Sequence, residues 1–429
     1  MDDFSGLDDI QRRCKLAKKT NAIVEKVKFF SNAAYFLSLY HDFEVAREAQ
    51  RREEEIINEA EVEADECYES DTQYPDCYYR ASFTFNLEAL KPSRIWEEFR
   101  FTRKQIYHLS ELLGLNDPDI TGEFEFRRPP LECFCMLLGR LAVPRRLIDM
   151  TEIFAEDKTV MSRCVLECAR FIYRRFRYLL SIGDYEIPAK RLNILQELGC
   201  KDQDYYDNLS FFLDGTVIQV NKPVHGGDVL YNGHKHFHAL KYQVLLGTDD
   251  IVYSLEGPAV GPAHDSRHTI GVHLEERIIE AAPGCCVYGD EAYKGTDVMR
   301  KPFNKLQLHR VPKTHPHLSP EECEKLIEDL KLHNVTMAKA RVRIENHFAK
   351  INQQFNLFKL TNKNRLGSTP VGILYFCAVF LTNIRTILRR RDLSVRQYLS
   401  WRRVGNDIAA DNSSLDEENS EEEDDLEWL

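Results

Sequence analysis

The sequence lacks several features that would point to a common class of enzyme or to a membrane protein. It contains no G-x-S-x-G motif, no P-loop and no G-x-G-x-x-G fingerprint, so the usual signatures of serine hydrolases and nucleotide-binding enzymes are missing. Its longest apolar run, VGILYFCAVFLTNI at 371–384, is 14 residues long. Because about 20 residues are needed to cross a bilayer, this run predicts a buried helix instead.

The sequence also lacks a cysteine framework, although it contains 12 cysteines. No two of them form a C-x-x-C pair, and they are spread through apolar segments. We therefore expect reduced core residues rather than zinc ligands or disulfides. The closest pairs are Cys133/Cys135, Cys164/Cys168 and Cys285/Cys286.

Basic residues are missing from the C-terminal end. After Arg403 the chain has 11 acidic residues and no Lys or Arg, and residues 41–71 have 13 acidic residues and 3 arginines. The net charge of the whole chain is −12, yet residues 72–404 carry a net charge of +7. A basic body between acidic segments favours a nucleic-acid partner, although ordinary scatter of charge also permits a surplus of this size.

These shifts in composition divide the chain into four parts. Residues 1–75 indicate a helical or disordered acidic arm, and residues 404–429 a disordered acidic tail. Residues 76–200 are predicted to be mostly helical, beginning with one helix over RIWEEFRFTRKQIYHLSELLG that ends at Gly114. From residue 205 to about 390 strand patterns dominate, and these predict an α/β domain.

A helix-turn-helix pattern occurs within the helical part. A short helix at 147–155 is followed by the polar turn EDK and a longer helix at 159–176. In such a unit the start of the second helix faces DNA, which makes Thr159, Ser162 and Arg163 candidate contacts. Any two amphipathic helices around a polar turn produce a similar pattern, so the motif alone is weak evidence.

Three carboxylates stand in unusual places. Asp214 lies inside the apolar strand FFLDGTVIQV, Asp290 comes directly after the strand CCVYGD, and Glu345 lies beside the apolar stripe of a helix. Two strand aspartates and a helix glutamate are suited to hold two divalent cations about 3.5–4 Å apart. Each also has a structural alternative. For Asp214 it is a turn cap at Gly215, for Asp290 a strand-ending turn, and for Glu345 a surface salt bridge. The stripe beside Glu345 comprises Ile344, Phe348, Ile351, Phe355 and Phe358.

Six stretches carry a resemblance to a known family. In chain order they are FFLDGT, YNGHKHFHALKYQ, GPAVGPAHDS, VYGDEAYKG, RVRIENHFAKINQQF and CAVFLTNI. With them, residues 205–390 resemble the DDE endonuclease domain of Harbinger-type transposases and their domesticated relatives. The resemblance implies an RNase H-like α/β domain with a mixed sheet, preceded by a helix-turn-helix region. Asp214 would lie on its first strand, Asp290 after its fourth strand and Glu345 on a late helix.

The resemblance also implies an activity and its partners. The chain would nick DNA at transposon terminal repeats and join the strands, using two Mg²⁺ or Mn²⁺ ions held by Asp214, Asp290 and Glu345. Water and then a DNA 3′-hydroxyl would attack phosphorus, without a covalent protein intermediate. A separate Myb-like DNA-binding protein, residence in the nucleus and possible homodimerisation belong to the same expectation. The alternative is a domesticated, catalytically silent protein that binds DNA or chromatin.

Further residues are candidates for supporting roles. Asp265, in AHDSRH, is an accessory metal acid or a helix cap. In GHKHFHALK, three alternating histidines at 234, 236 and 238 suggest zinc, but phosphate contacts by Lys235, His236 and Lys241 are more consistent with the family.

The last candidates surround Glu345. Arg341, Arg343 and Lys350, together with His347, are basic neighbours that would hold DNA phosphates. Asp290 and Glu345 are separated by 54 residues, which include a capped helix predicted at 319–333. We therefore expect a helical insertion of about 301–340 ahead of the helix that carries Glu345.

Overall fold

The computed structural model describes residues 85–122, 124, 126–200, 208–223, 227–233, 235–260, 272–359, 364 and 370–404. The predicted acidic arm, the tail beyond residue 404 and Asp265 lie outside the described residues.

The described N-terminal part is helical up to the sheet. Its helices pack around the mostly buried α4, which supplies much of the core of this part. The α-helices are α1 (Pro92–Phe99), α2 (Arg103–Leu112), α3 (Pro118–Thr121), α4 (Pro130–Ala142), α5 (Leu147–Phe154), α6 (Lys158–Phe176) and α7 (Ala189–Cys200). Two 3₁₀ turns, Leu87–Ala89 and Arg177–Leu180, complete this part.

The first predicted helix is in fact two helices. Arg100 adopts a left-handed conformation with φ 64° and ends α1, and Thr102 starts α2 through a capping box with Gln105. Phe99 and Phe101 are both fully buried. Residues two apart point to opposite sides of one helix, so a break is needed to direct both rings into the same core.

The helix-turn-helix prediction is confirmed as a structure. Helices α5 and α6 have nearly the predicted bounds, and the Asp157 side chain caps α6 by accepting a hydrogen bond from the Thr159 backbone N–H at 2.8 Å. Thr159, Ser162 and Arg163 are all exposed near the start of α6. These positions are accessible to a ligand.

A mixed sheet forms the C-terminal part. Its strands are β1 (Leu209–Gln219), β2 (Tyr231–Asn232), β3 (Phe237–Gly247), β4 (Val252–Val260), β5 (Cys286–Tyr288) and β6 (Met299–Arg300). Central β1 runs antiparallel to β3 and parallel to β5; β4 extends the sheet beyond β3 and β6 extends it beyond β5. The predicted fold class is confirmed to this extent: a helical N-terminal region is followed by an α/β domain with a mixed sheet.

The remaining helices surround this sheet. They are the short α8 (Gly227–Leu230), α9 (Leu274–Ala281), α10 (Lys305–Thr314), α11 (Pro320–Gln354), α12 (Val371–Ile387) and α13 (Val395–Leu399), and a 3₁₀ turn lies at Asn356–Phe358.

Helix α11 is longer than predicted. The sequence suggests a capped helix at 319–333 and a separate helix around Glu345, but the structure has one helix of 35 residues. The predicted capping box of Ser319 and Glu322 is present, and no Gly or Pro follows Pro320 within the helix to interrupt it. The Asn334 side chain holds both the N–H and the C=O of Phe303, which fixes the segment before α10 against α11.

Helix α12 joins the helical part to the sheet. As predicted for the apolar run, almost every residue of this helix is buried. The Asn383 side chain accepts a hydrogen bond from the Val252 N–H at 2.9 Å and donates one to the Val252 C=O at 2.8 Å, so it pairs with β4 as a strand would. Phe376 and Phe380 contact aromatic rings of α6. One continuous core results, and no described helix is long and apolar enough to span a membrane.

A buried network of charged side chains connects α7, the β3–β4 turn and the segment after α12. The guanidinium of Arg191, on α7, donates to the Asp249 carboxylate in the β3–β4 turn and to Asp392 at 2.5 Å. The Tyr253 hydroxyl donates to the same Asp249 carboxylate at 2.9 Å. The side chains of Arg191 and Asp249 are 4% and 0% exposed, so neither charge has access to water as a substitute partner.

Removing one member of this network should destabilise the whole fold. We expect Asp249→Asn to lower the free energy of unfolding by about 3–5 kcal/mol, because it leaves the buried Arg191 charge without its main partner. Urea unfolding of the purified protein measures this. The matched control is Asp149→Asn, which breaks the exposed pair with Arg146 and should have a much smaller effect. Equal losses in the two variants would contradict this role for the network.

Candidate functional site

The site begins at the place where β5 ends beside β1. The last parallel pair is Phe212 with Tyr288, and Asp214 and Asp290 each lie two residues further along the chain, Asp214 still on β1 and Asp290 just past the end of β5. On its other side β1 remains paired, with Asp214 opposite Val244 of β3. Chain segments that follow the ends of neighbouring parallel strands meet at one edge of the sheet, which brings these two aspartates together.

Asp214 is held rigidly and is partly buried. Its Oδ1 accepts a hydrogen bond from the Gly215 N–H at 2.9 Å, and its side chain is 18% exposed. Burial raises the pKa of this carboxyl group, and the nearby negative charge of Asp290 raises it further, whereas Arg341 acts in the opposite direction. The strand continues past Asp214 to Gln219 as predicted, so the residue is not a strand-terminal turn cap.

Asp290 lies in a tight turn directly after β5. Its Oδ1 accepts a hydrogen bond from the Ala292 N–H at 2.8 Å, and the side chain is partly exposed. A Cβ atom at Gly289 would lie 2.6 Å from the Tyr293 ring, so this position requires glycine. Asp290 is therefore part of a strand-ending turn, and it lies close enough to Asp214 for its negative charge to act on that carboxyl group.

Glu345 reaches the site from α11. The helix packs its buried residues Ile344 and Ile351 against the domain, and the Glu345 side chain remains 61% exposed. Arg341, one turn earlier, places Nη2 3.3 Å from Asp214 Oδ2 and 3.8 Å from Glu345 Oε1. The structure thus brings all three predicted carboxylates to one place, with a guanidinium between two of them.

These residues fit a divalent cation. Oxygen ligands from carboxylates suit Mg²⁺ and Mn²⁺, and a positive group already lies between Asp214 and Glu345. The carboxylate oxygens of Asp214, Asp290 and Glu345 nevertheless do not all lie within 4.8 Å of one another. Among the described residues, the one group of three metal-ligating side chains whose ligand atoms all lie within 4.8 Å is a different one, Cys133, Cys164 and Glu167.

The cysteine-containing group lies between α4 and α6, and the sequence analysis did not anticipate it. The Glu167 carboxylate already accepts a hydrogen bond from the Arg127 N–H at 3.1 Å, and the Cys133 thiol donates to the Arg128 carbonyl at 3.4 Å. All eight cysteines with described side chains are buried and free, as expected. Cys133 and Cys164 lie on different helices, so no local spacing reveals their proximity.

Two of the predicted phosphate contacts near Glu345 are engaged within the protein. Arg343 Nη1 donates to the Thr248 carbonyl at 3.0 Å, and Lys350 Nζ donates to Thr386 Oγ1 at 3.0 Å. Burial lowers the pKa of Lys350, against the opposing effect of Asp250. Arg343 therefore ties α11 to the β3–β4 turn and Lys350 ties it to α12, and a role for them in DNA binding stays a prediction.

The candidates around β2 and β3 differ in exposure. Lys235 and His236 are exposed in the turn before β3, and Lys241 lies within β3, opposite Val217 of β1. His236 has φ 59° and is not on a strand, so the expected alternation of three histidines on one strand face is wrong at this position. His234 lies outside the described residues.

His347 is not at the surface, contrary to the expectation that it contacts phosphate. It is 2% exposed, and neither ring nitrogen has a hydrogen-bond partner among the described residues. Burial lowers its pKa to about 3, and the charge of Lys350 contributes, so the ring is neutral. A buried polar group without partners is costly to the fold.

Replacing this ring with an apolar side chain should therefore not weaken the protein. We expect His347→Leu to raise the free energy of unfolding by about 1 kcal/mol. Leucine has a volume similar to that of histidine and lacks the two buried ring nitrogens that have no hydrogen-bond partner among the described residues. Thermal and urea unfolding measure this. His333, also buried on α11, contacts the rings of Tyr288 and Phe303, and His333→Leu should be destabilising. A loss of several kcal/mol in His347→Leu would indicate a hidden partner.

Comparison with known proteins adds one finding. Residues 213–383 match the family described as DDE superfamily endonuclease. The match covers about two-fifths of the chain, begins one residue before Asp214 and ends at Asn383, so it includes Asp214, Asp290 and Glu345. No match was found among curated proteins or among solved structures.

Proposed function

With a DDE superfamily endonuclease match over residues 213–383 as the premise, we propose that the chain is a metal-dependent DNA endonuclease of the transposase type. Asp214, Asp290 and Glu345 would hold two Mg²⁺ or Mn²⁺ ions. The observation that carries this proposal is the meeting of Asp214 and Asp290 near the end of β5, with the Arg341 guanidinium between Asp214 and Glu345. Harbinger-type transposition at terminal repeats is the more specific form of the proposal.

The residues of the chain have distinct tasks in this site. Asp214 provides a carboxylate of fixed position, because β1 is paired with β3 at this point and the Gly215 N–H orients Oδ1. Glu345 provides an exposed carboxylate that is free to adjust toward a substrate. When bound, the metal ions would activate the attacking oxygen and stabilise the leaving oxygen of a phosphodiester. No serine or cysteine nucleophile is required.

The helix-turn-helix is the proposed DNA-recognition element. Helix α6 is rigidly connected to the endonuclease domain, since Tyr173 and Phe176 contact Phe376 and Phe380 of α12 with ring centroids 5.1 and 5.3 Å apart. Thr159, Ser162 and Arg163 at its exposed start would contact DNA, and Lys235, His236 and Lys241 would contact phosphate near the sheet. A Myb-like protein partner, a homodimer and a nuclear location complete the proposal.

The metal ligands are tested by conservative substitutions. We expect Asp214→Asn, Asp290→Asn and Glu345→Gln each to reduce nicking of DNA by more than the roughly 10–100-fold that outer-shell changes cause. The measurement is cleavage of plasmid DNA carrying candidate terminal repeats, with Mg²⁺ or Mn²⁺. Asp329→Asn, an exposed acid on α11, is the matched control and should keep full activity.

Two outcomes would argue against parts of this proposal. Full activity in all three variants would show that the site is elsewhere. A wild-type protein that binds DNA but never cuts it, even with a partner protein and terminal repeats, would favour the catalytically silent alternative.

The recognition helix is tested by binding. We expect Arg163→Gln to weaken DNA binding at every sequence and to reduce the slope of log affinity against log salt by about 1, because one phosphate contact is lost. Fluorescence anisotropy at several salt concentrations measures this. Arg310→Gln, at an exposed position on α10, should leave the slope unchanged. Equal effects of both substitutions would indicate only a general charge effect.

A further inference from the structure

Arg341 contacts the carboxylates of Asp214 and Glu345 only loosely. A single guanidinium nitrogen, Nη2, faces both Asp214 and Glu345, at 3.3 and 3.8 Å. Its Nε is buried, yet it has no hydrogen-bond partner among the described residues. The Nε–H donor therefore contributes nothing to holding this side chain against the carboxylates.

A structural ion pair elsewhere in the protein provides a contrast. Arg145 donates two hydrogen bonds to Glu98, with Nη1 at 2.6 Å and Nη2 at 3.0 Å, which is the bidentate geometry typical of a fixed pair. Arg341 has one long hydrogen bond to Asp214 and a more distant contact with Glu345. It supplies positive charge to the two carboxylates without being locked to either of them.

We propose that Arg341 is an exchangeable internal counter-ion, which compensates the charge of Asp214 and Glu345 while they are without metal and must be displaced when a divalent cation binds. The inference rests on the proposed function, since it concerns the same carboxylates. The guanidinium lies between two of the proposed ligands, and metal binding therefore breaks its contacts with both.

The geometry explains why the carboxylates can approach each other without a metal. Asp214 lies next to Asp290, and Glu345 comes within one helical turn of Arg341, so negative charges accumulate at one edge of the sheet. A positive side chain between them reduces this repulsion. Among the described residues the three carboxylates do not form a tight cluster, and Arg341 occupies the space between two of them.

The proposed exchange predicts the direction in which the affinity for Mn²⁺ changes. Removing Arg341 takes away a competitor for the metal, so Arg341→Gln should bind Mn²⁺ about tenfold more tightly, the factor expected for one charged hydrogen bond. Removing a metal ligand would have the opposite effect. The metal-free variant should unfold at a lower temperature than the wild-type protein, and saturating Mn²⁺ should reduce this difference, because binding and stability are linked.

The experiment uses the full chain and Mn²⁺ alone, without DNA. Isothermal titration calorimetry at constant ionic strength gives the dissociation constants, and thermal unfolding with and without Mn²⁺ gives the stabilities. Lys339→Gln removes the same charge from an exposed position on α11 and should change Mn²⁺ affinity less than twofold, about the size of a screened surface effect. Arg341→Met, which keeps an unbranched apolar stem without the charge, replaces Arg341→Gln if that variant does not fold.

The outcomes are distinct. Tighter Mn²⁺ binding in Arg341→Gln, but not in Lys339→Gln, supports the exchange. Unchanged or weaker binding, or a loss of stability that Mn²⁺ does not reduce, overturns it and makes Arg341 a purely structural residue. If Arg341→Gln binds Mn²⁺ more tightly but no variant cleaves DNA, the counter-ion role stands and the endonuclease proposal fails.

Discussion

The buried pair of Arg191 and Asp249 is the interaction on which the arrangement of the domain depends. It joins helix α7 to the β3–β4 turn, and Asp392 extends it to the segment after α12. With that turn fixed, β3 is aligned along β1, and β1 can present Asp214 at a defined position. The charges are compensated without water, so the network tolerates little change in its geometry.

Much of the fold follows from local sequence. Alternating and β-branched residues predicted β1, β3 and β4, and the polar turn predicted α5 and α6. The continuation of β1 beyond Asp214 was predicted because the strand pattern did not stop there. Local patterns succeed in these places because each element buries a face whose period is visible in the sequence itself.

The remaining features depend on contacts that are distant in sequence. Most of the predicted apolar stripe beside Glu345 is buried, with Phe348 only partly so. The structure adds His347 and Gln354 to the buried face, and a polar residue is the less obvious choice for such a position. The position of Arg341 beside Asp214 joins residues 127 apart. The family match covers residues 213–383 and agrees with the predicted resemblance, whereas the arrangement of the charges becomes apparent only in three dimensions.

The unbroken α11 makes two distant parts of the surface mechanically dependent on each other. From Pro320 to Glu345 the helix extends about 38 Å, with no glycine or further proline to act as a hinge. The exposed apolar residues Leu332 and Val335 lie along this stretch. Because the helix is unbroken, its contacts ahead of Glu345, such as the hydrogen bonds between Asn334 and Phe303, also help to fix where that carboxylate lies, so the segment that resembles an insertion and the proposed catalytic centre share one rigid element.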